Sequence, residues 1–290
     1  MGMILGLMKR RGIKTEVKMA NRNRDDSGFM LLSESDEPFE KEGWVSQIKE
    51  DGRRVQVEKR GDSIIMRGRD NIVEDRYPEV LETIRKIPHD FKIDTEFCVF
   101  TDEWRTDRGL LQTRDRTKDP FKIKLLQKIA PVQPAIFDLL EINGNDMRNE
   151  PYEKRKQALQ EAFSGVQGVK VVRDFDRPLE AWEFAQKHEL EGIVERDKSA
   201  PYIEGRSDRV VKVKRKKLFP VRFDGYSVSN AGITLTDSVN NLRCACHGQQ
   251  HIKIKESIDS KGYADVLVRA MADKTEIGKL REIVFFKFVR

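Results

Sequence analysis

Apolar residues between Trp44 and Gly68 come in short bursts: Val45 and Ile48, then Val55 and Val57, then Ile64 and Ile65, separated by the turn-forming stretches DG and RGD. That pattern predicts a meander of two or three short strands. The period changes at RYPEVLETIRKI, where Val80, Leu81, Ile84 and Ile87 follow Pro78 at helical spacing and predict a helix. FKIDTEFCVF alternates like a buried strand, and PVQPAIFDLLEING reads as another that stops at Asn143 and Gly144. EPYEKRKQALQEAFSG predicts a helix with Pro151 early and Gly165 closing it, and RPLEAWEFAQKHEL predicts a second that runs into EGIVERD. In RVVKVKRKK, residues 209–217, Val210, Val211 and Val213 interleave with Lys212 and Lys214, so one face of a strand there is cationic.

Past Lys217 the texture changes. VRFDGYSVSN, GITLTDSVNNLRCACHG, HIKIKES, YADVLVRAMAD and REIVFFKFVR supply about five strand-like runs in the last 70 or so residues. That number and size suit a small Greek-key barrel such as an OB-fold. The expected organisation is an N-terminal arm over 1–28, a larger α+β domain over 29–218 and an all-β OB-fold domain over 219–290, with the boundary near Leu218 to Pro220.

The chain has 290 residues, a length suited to about two domains. Lys and Arg number 55 against 49 Asp and Glu, a net charge of +6 that makes only a weak field if spread evenly. It is concentrated instead: Lys9, Arg10, Arg11, Lys14, Lys18, Arg22 and Arg24 face one acid, Glu16, in the arm, and the second cluster is 209–217. No run approaches the roughly 20 apolar residues of a membrane span, and MGMILGLMKRRG is a poor signal peptide. A soluble, cytoplasmic monomer is expected, with no membrane association. Three cysteines, Cys98, Cys244 and Cys246, cannot build a disulfide framework or a structural zinc module. Cys244 and Cys246 alternate on a strand beside His247, which predicts core packing rather than a metal trio.

The candidate chemistry lies in an ordered series. KEDGRR contributes Lys49, Asp51, Gly52 and Arg54; IDTEF contributes Asp94 and Glu96; IFDLL contributes Phe137 and Asp138; EGIV contributes Glu191 and Gly192; VKVK contributes Lys212 and Lys214; and the chain ends in GKLREIVFFKFVR. This set resembles the nucleotidyltransferase motifs of ATP-dependent DNA ligases in their minimal form, and of the related RNA ligases and capping enzymes. The resemblance covers residues 30–290. Linking text such as RGRDNIVEDRYPEV, FDLLEINGNDMRNEPYEKR and SAPYIEGRSD looks like DNA ligases in particular. It departs at two places: Arg196 stands where many DNA ligases have lysine, and Ile283 where the terminal motif usually has proline.

The resemblance implies a ligase-type adenylation domain of antiparallel sheets flanked by helices, followed by the OB-fold domain. It implies sealing of nicked duplex DNA with ATP and Mg²⁺ or Mn²⁺, in DNA repair, replication or recombination. Lys49 takes AMP, with Asp51 beside it in the catalytic set. A lysine attacks phosphorus only as the neutral amine, so Lys212, Lys214 and a metal ion are expected to depress its pKa while neutralising the phosphate. Glu191 binds the metal together with Glu96, which also holds the ribose hydroxyls; Mg²⁺ suits a few carboxylates shared with phosphate and water. By resemblance Arg54 contacts the sugar and later the nick, Phe137 stacks on adenine, Arg69 (or its neighbour Arg67) meets the 5′-phosphate, and Arg281, with Lys287 and Arg290, orients the leaving pyrophosphate. Asp94 and Asp138 also read as ordinary strand-end caps. The alternatives are an RNA ligase or capping-type nucleotidyltransferase, and a non-catalytic OB-type nucleic-acid-binding protein.

Overall fold

The computed structural model describes residues 27–69, 76–230, 232–272 and 280–289. The expected arm falls outside the described residues up to 26, as does Arg290.

The first three bursts form β2 (Trp44–Ile48), β3 (Arg53–Arg60) and β4 (Ser63–Gly68), but they are not one meander. β2 belongs to a five-stranded sheet ordered β1 (Met30–Ser35), β11 (Gly205–Lys214), β10 (Gly192–Asp197), β2 and β9 (Asp174–Phe175). β3 and β4 belong to a second sheet with β5 (Phe91–Cys98), β6 (Gln133–Ile142) and β7 (Asn145–Asp146), and β8 (Lys170–Val171) lies against β6. β1 with β11 and β6 with β8 are parallel; the other pairs are antiparallel. The KEDG segment is therefore a crossing between sheets rather than a hairpin.

Each sheet buries one face under helices and turns the other toward its partner. Ile48, Ile193 and Val213 pack on Ala181 and Ala185 of α5 (Pro178–Lys187). Val55, Val57, Ile93 and Ile136 pack on Val80 and Ile84 of α1 (Pro78–Arg85), Leu111 of α2 (Arg108–Arg116), and Leu159 and Phe163 of α4 (Tyr152–Phe163). Met30, Val194 and Val210 of the first sheet meet Leu140 of the second between them. α2 and α3 (Pro120–Ile129) are not anticipated by the apolar pattern, because much of their apolar surface is exposed. Their starts were nevertheless written in the chain: the Asp107 and Asp119 side chains accept from Leu110 N and Lys122 N as N-caps, and Pro120 opens the second helix.

The C-terminal segment forms two three-stranded sheets, β12 (Lys217–Phe223), β16 (Ala264–Ala272), β17 (Leu280–Phe288) and β13 (Gly225–Ser229), β14 (Gly232–Asp237), β15 (Leu242–Cys246). They close on a separate core that includes Phe223, Leu235, Cys244, Cys246, Val266 and Val268. HIKIKES is not a strand; it lies in α6 (Gln250–Lys261). Alternation at Ile252 and Ile254 suggested a strand, but the buried pair is Ile254 and Ile258, one helical turn apart, while Ile252 faces solvent. Gly262, in the left-handed conformation, ends the helix.

All six residues of β10 are buried, Glu195 among them. Its carboxylate accepts from Phe39 N at 3.1 Å, while among the described residues Oε2 has no hydrogen-bond partner and the opposing Ser46 Oγ has none either. Burial pushes the Glu195 carboxyl up from 4.5 to about 7. A folded-state pKa above the unfolded one makes this group's contribution complete below about 4.5 and progressively lost as pH rises through about 7. Glu195→Gln is therefore expected to stabilise the protein by about 1–3 kcal/mol at pH 8, a gain that fades toward pH 5. Urea midpoints of both proteins across that range check it, and equal midpoints at pH 8 refute it.

Candidate active site

The KEDG crossing is held where two glycines let backbones meet. A Cβ on Gly52 would lie 2.3 Å from Phe97 O and 2.7 Å from Glu96 Cγ, so only glycine lets the segment lie against β5. A Cβ on Gly192, where φ is +151°, would lie 2.1 Å from Val213 O. That approach brings β10 against β11, and the Lys49 N–H donates to Gly192 O at 3.0 Å. Local backbone sterics thus place Lys49 beside Glu191 and the lysine strand.

Between the facing sheets lies an open cavity of about 70 Å³ lined by Gln47, Lys49, Arg54, Glu96, Phe137 and Arg196, among others. Arg54 and Gln56 stand opposite Glu96 and Asp94 across β3 and β5, so all four share one face. Phe137 reaches the cavity through a β-bulge. Asp94 pairs with Asp138 but Thr95 pairs with Ile136, which leaves Phe137 as the extra residue. Ile136 and Leu139 enter the core behind the sheet, whereas Phe137 lines the cavity. The Arg54 and Arg196 guanidinium carbons lie 5.5 and 5.2 Å from its ring centroid.

Asp94 and Asp138 are not strand-end caps. Both lie inside strands with no exposure. Asp94 receives Arg54 Nε at 3.0 Å, Arg54 Nη2 at 2.7 Å and the Tyr202 hydroxyl at 2.5 Å. Asp138 receives Arg155 Nε at 2.7 Å, Arg155 Nη2 at 3.0 Å and Arg196 Nη1 at 3.3 Å. Arg196 in turn donates from Nε to Gln47 Oε1 at 2.8 Å, and Gln47 Nε2 donates to Asp174 and to the Tyr152 hydroxyl. The arginine at position 196 therefore has two partners, and its planar fork serves both.

Charge in the cleft is closely paired. Lys49 Nζ donates to Glu191 Oε2 at 2.7 Å, and Glu191 Oε1 lies 3.8 Å from Lys214 Nζ. Glu34 lies 3.1 Å from Lys212 Nζ and 2.7 Å from Lys216 Nζ, and these lysines, working against burial, hold its carboxyl down at about 2. Arg281 Nη2 reaches Asp51 Oδ2 at 2.7 Å. Burial opposes a charge on Lys49, but Glu191, Glu96 and Asp51 outweigh it and raise its pKa above the ordinary lysine value. With these three acids around it the amine keeps its proton, so the depression expected from Lys212, Lys214 and a metal ion is not supplied by the two lysines alone. Burial pushes Glu96 up to about 7, Glu191 pushes it the same way, and Lys49 pulls it down.

Lys49, Asp51, Arg54, Glu96, Phe137, Glu191, Lys212, Lys214 and Arg281 thus gather around one cleft. Arg69 follows the end of β4 and does not line the cavity, and Lys287 faces solvent opposite Leu267. Sequence reasoning missed Glu34, Gln47 and Arg108. Arg108 Nε lies 3.9 Å from Asp51 Oδ1, and its buried Nη1 has no hydrogen-bond partner among the described residues. Only the Asp107 cap hinted that a helix starts there and aims Arg108 at the site.

A family model described as ATP dependent DNA ligase domain matches residues 30–214. The chain is 28% identical over 203 residues to DNA ligase C1 of Mycolicibacterium smegmatis, covering 67% of this chain and 58% of that protein. It is 24% identical over 248 residues to the bifunctional non-homologous end joining protein LigD of Bacillus subtilis, covering 76% of this chain and 40% of that protein. The chain therefore spans about two to three fifths of the length of these relatives. The solved ligase domain of M. tuberculosis LigD superposes with a TM-score of 0.58 at 19% identity, over 93% of this chain and 96% of that one, a likeness of fold.

Proposed function

Because this chain belongs to the ATP-dependent DNA ligase domain family, we propose that it seals nicks in duplex DNA with ATP through an adenylate on Lys49. The observation that carries the reading is the Lys49–Glu191 pair at 2.7 Å beside the Phe137 cavity, with Lys214 near Glu191 and Arg281 on Asp51. Lys49 Nζ, once it has lost a proton, forms a bond to the α-phosphorus of ATP as the bond to pyrophosphate breaks. An oxygen of the 5′-phosphate at the nick then takes the adenylyl group, the Nζ–P bond breaks and Lys49 regains a proton. Finally the 3′-hydroxyl, losing its proton, attacks the same 5′-phosphorus and AMP leaves.

The residues have distinct tasks. Phe137 offers a flat apolar face to the base. Glu191 orients the Lys49 amine, and Lys212, Lys214 and Arg281 supply fixed positive charge to phosphate oxygens. Glu96 and Glu191 also fit a divalent ion: both are partly buried carboxylates whose pKa values desolvation raises, and Glu191 itself helps to raise that of Glu96. An ion held by these two carboxylates would complete its shell with phosphate and water. A bound Mg²⁺ would weaken the hold of these carboxylates on the Lys49 proton and neutralise phosphate charge. Among the described residues, no helix is long and apolar enough to cross a membrane.

The deciding experiment offers labelled ATP, GTP and NAD separately and asks which label stays covalently bound. Label from ATP alone, followed by sealing of a nicked duplex, supports the reading; label from GTP favours a capping-type transferase. A step-specific prediction concerns Arg281, which contacts Asp51, two residues from Lys49, and to which the family resemblance gives the task of orienting the leaving pyrophosphate. Arg281→Ala should slow Lys49 adenylation about 10²-fold or more, while sealing of a nick supplied already adenylated falls far less. Equal losses in the two assays would make Arg281 a DNA contact or a structural residue.

A further inference from the structure

The last strand breaks its alternation at the edge of the active site. In the β16–β17 pair, Arg281 faces Met271 and Val284 faces Arg269, so Glu282 and Ile283 together oppose Ala270. Glu282 has φ of +51°, a left-handed conformation uncommon for a residue with a side chain. On a regular strand, neighbours 281 and 282 would point to opposite faces. Here both reach the same cleft: Arg281 contacts Asp51, and the Glu282 carboxylate forms an ion pair with Lys214. Lys214 is almost buried, and Glu191, the partner of Lys49, lies 3.8 Å from its other side.

A carboxylate and a phosphate offer an ammonium group the same acceptor chemistry. The other cations named in this cleft are also matched by acids of the chain itself: Lys49 by Glu191, Lys212 and Lys216 by Glu34, Arg281 and Arg108 by Asp51, Arg54 by Asp94 and Arg196 by Asp138. Of these acids, Glu282 alone comes from the barrel. We propose that Glu282 occupies the phosphate position on Lys214, holding the barrel over the nucleotide-free site, and that the entering triphosphate must displace it. This rests on Lys214 as a phosphate ligand in the proposed adenylation. Glu191, already paired with Lys49, lies farther from Lys214 than an ordinary hydrogen bond, so the Glu282 carboxylate supplies the close acceptor that a nearly buried ammonium group needs in the closed form. The same contact competes with ATP, so it raises the nucleotide concentration needed for half-maximal adenylation without taking part in the bond changes.

The test follows Lys49–AMP formation against ATP concentration for the wild-type chain, Glu282→Gln and Glu282→Gly. Glutamine removes the charge at nearly constant shape. Glycine also removes it, and suits the left-handed backbone should glutamine fold poorly. Both variants are expected to lower the apparent KM for ATP about 3- to 10-fold, the range for loss of one partly exposed ion pair, with the maximal rate unchanged. The gap should shrink as salt is raised. An unchanged or higher KM in both variants overturns the proposal, and a fall in maximal rate makes Glu282 part of the catalytic machinery instead. If the wild-type chain itself takes no label from ATP, the ligase reading fails first, an outcome distinct from any difference between variants.

Discussion

Lys49→Ala is expected to form no adenylate and to lose sealing of an ordinary nick by at least about 10⁴-fold, because the step needs a nitrogen nucleophile at that point. No neighbouring amine can replace it. Lys212 is held by Glu34, and Lys214 is held between Glu191 and Glu282. Lys49→Arg should fail equally, since guanidinium keeps its proton at any working pH. A nick supplied already adenylated should be sealed with a much smaller loss, because no bond to residue 49 forms in that step. Covalent label on Lys49→Ala protein after incubation with ATP would end the assignment.

Asp138→Ala is expected to be the most destabilising single change in the adenylation body, by about 3–5 kcal/mol. Asp138 is fully buried and Arg155 and Arg196 are 1% and 5% exposed, so removing the carboxylate leaves two guanidinium groups inside the protein without a counter-charge. The loss should also reach the cavity. Arg196 connects Asp138 to Gln47, which lines the wall beside Lys49. Denaturant unfolding of the nucleotide-free protein measures the effect. A change below about 1 kcal/mol would mean that water or backbone takes over the charge, contrary to the packing seen.

Much of this molecule was legible before any coordinates because its signals are local. Helix spacing after Pro78, Pro151 and Pro178, alternation through β3, β5 and β11, and the paired cysteines of β15 each arise from the direction in which consecutive side chains point. The motif residues were legible for a related reason: a lysine before an acid–glycine turn, and carboxylates or lysines two apart on a strand, put like chemistry on one face. α2 and α3 escaped notice because their apolar residues do not form a buried stripe, and α6 because two isoleucines alternated by chance.

The rest depended on what lies across the fold. That KEDG crosses between sheets rather than turning a hairpin depends on which strands take its two flanks: β10, from Gly192 on, pairs with β2, and β5, from Phe91 on, pairs with β3. The bulges at Phe137 and Glu282 break the alternation that sequence reading relies on, and each turns an additional side chain into the cleft. Partner choice was equally hidden. Asp138 could have capped a strand, and Glu34 had no mark of its own, until distant arginines and lysines met them in a buried space. Sequence alone determined which chemistry the chain carries and on which strands. The tertiary structure decided which charges face each other, because an ion pair depends on distance and burial, and neither is a property of a residue's neighbours in the chain.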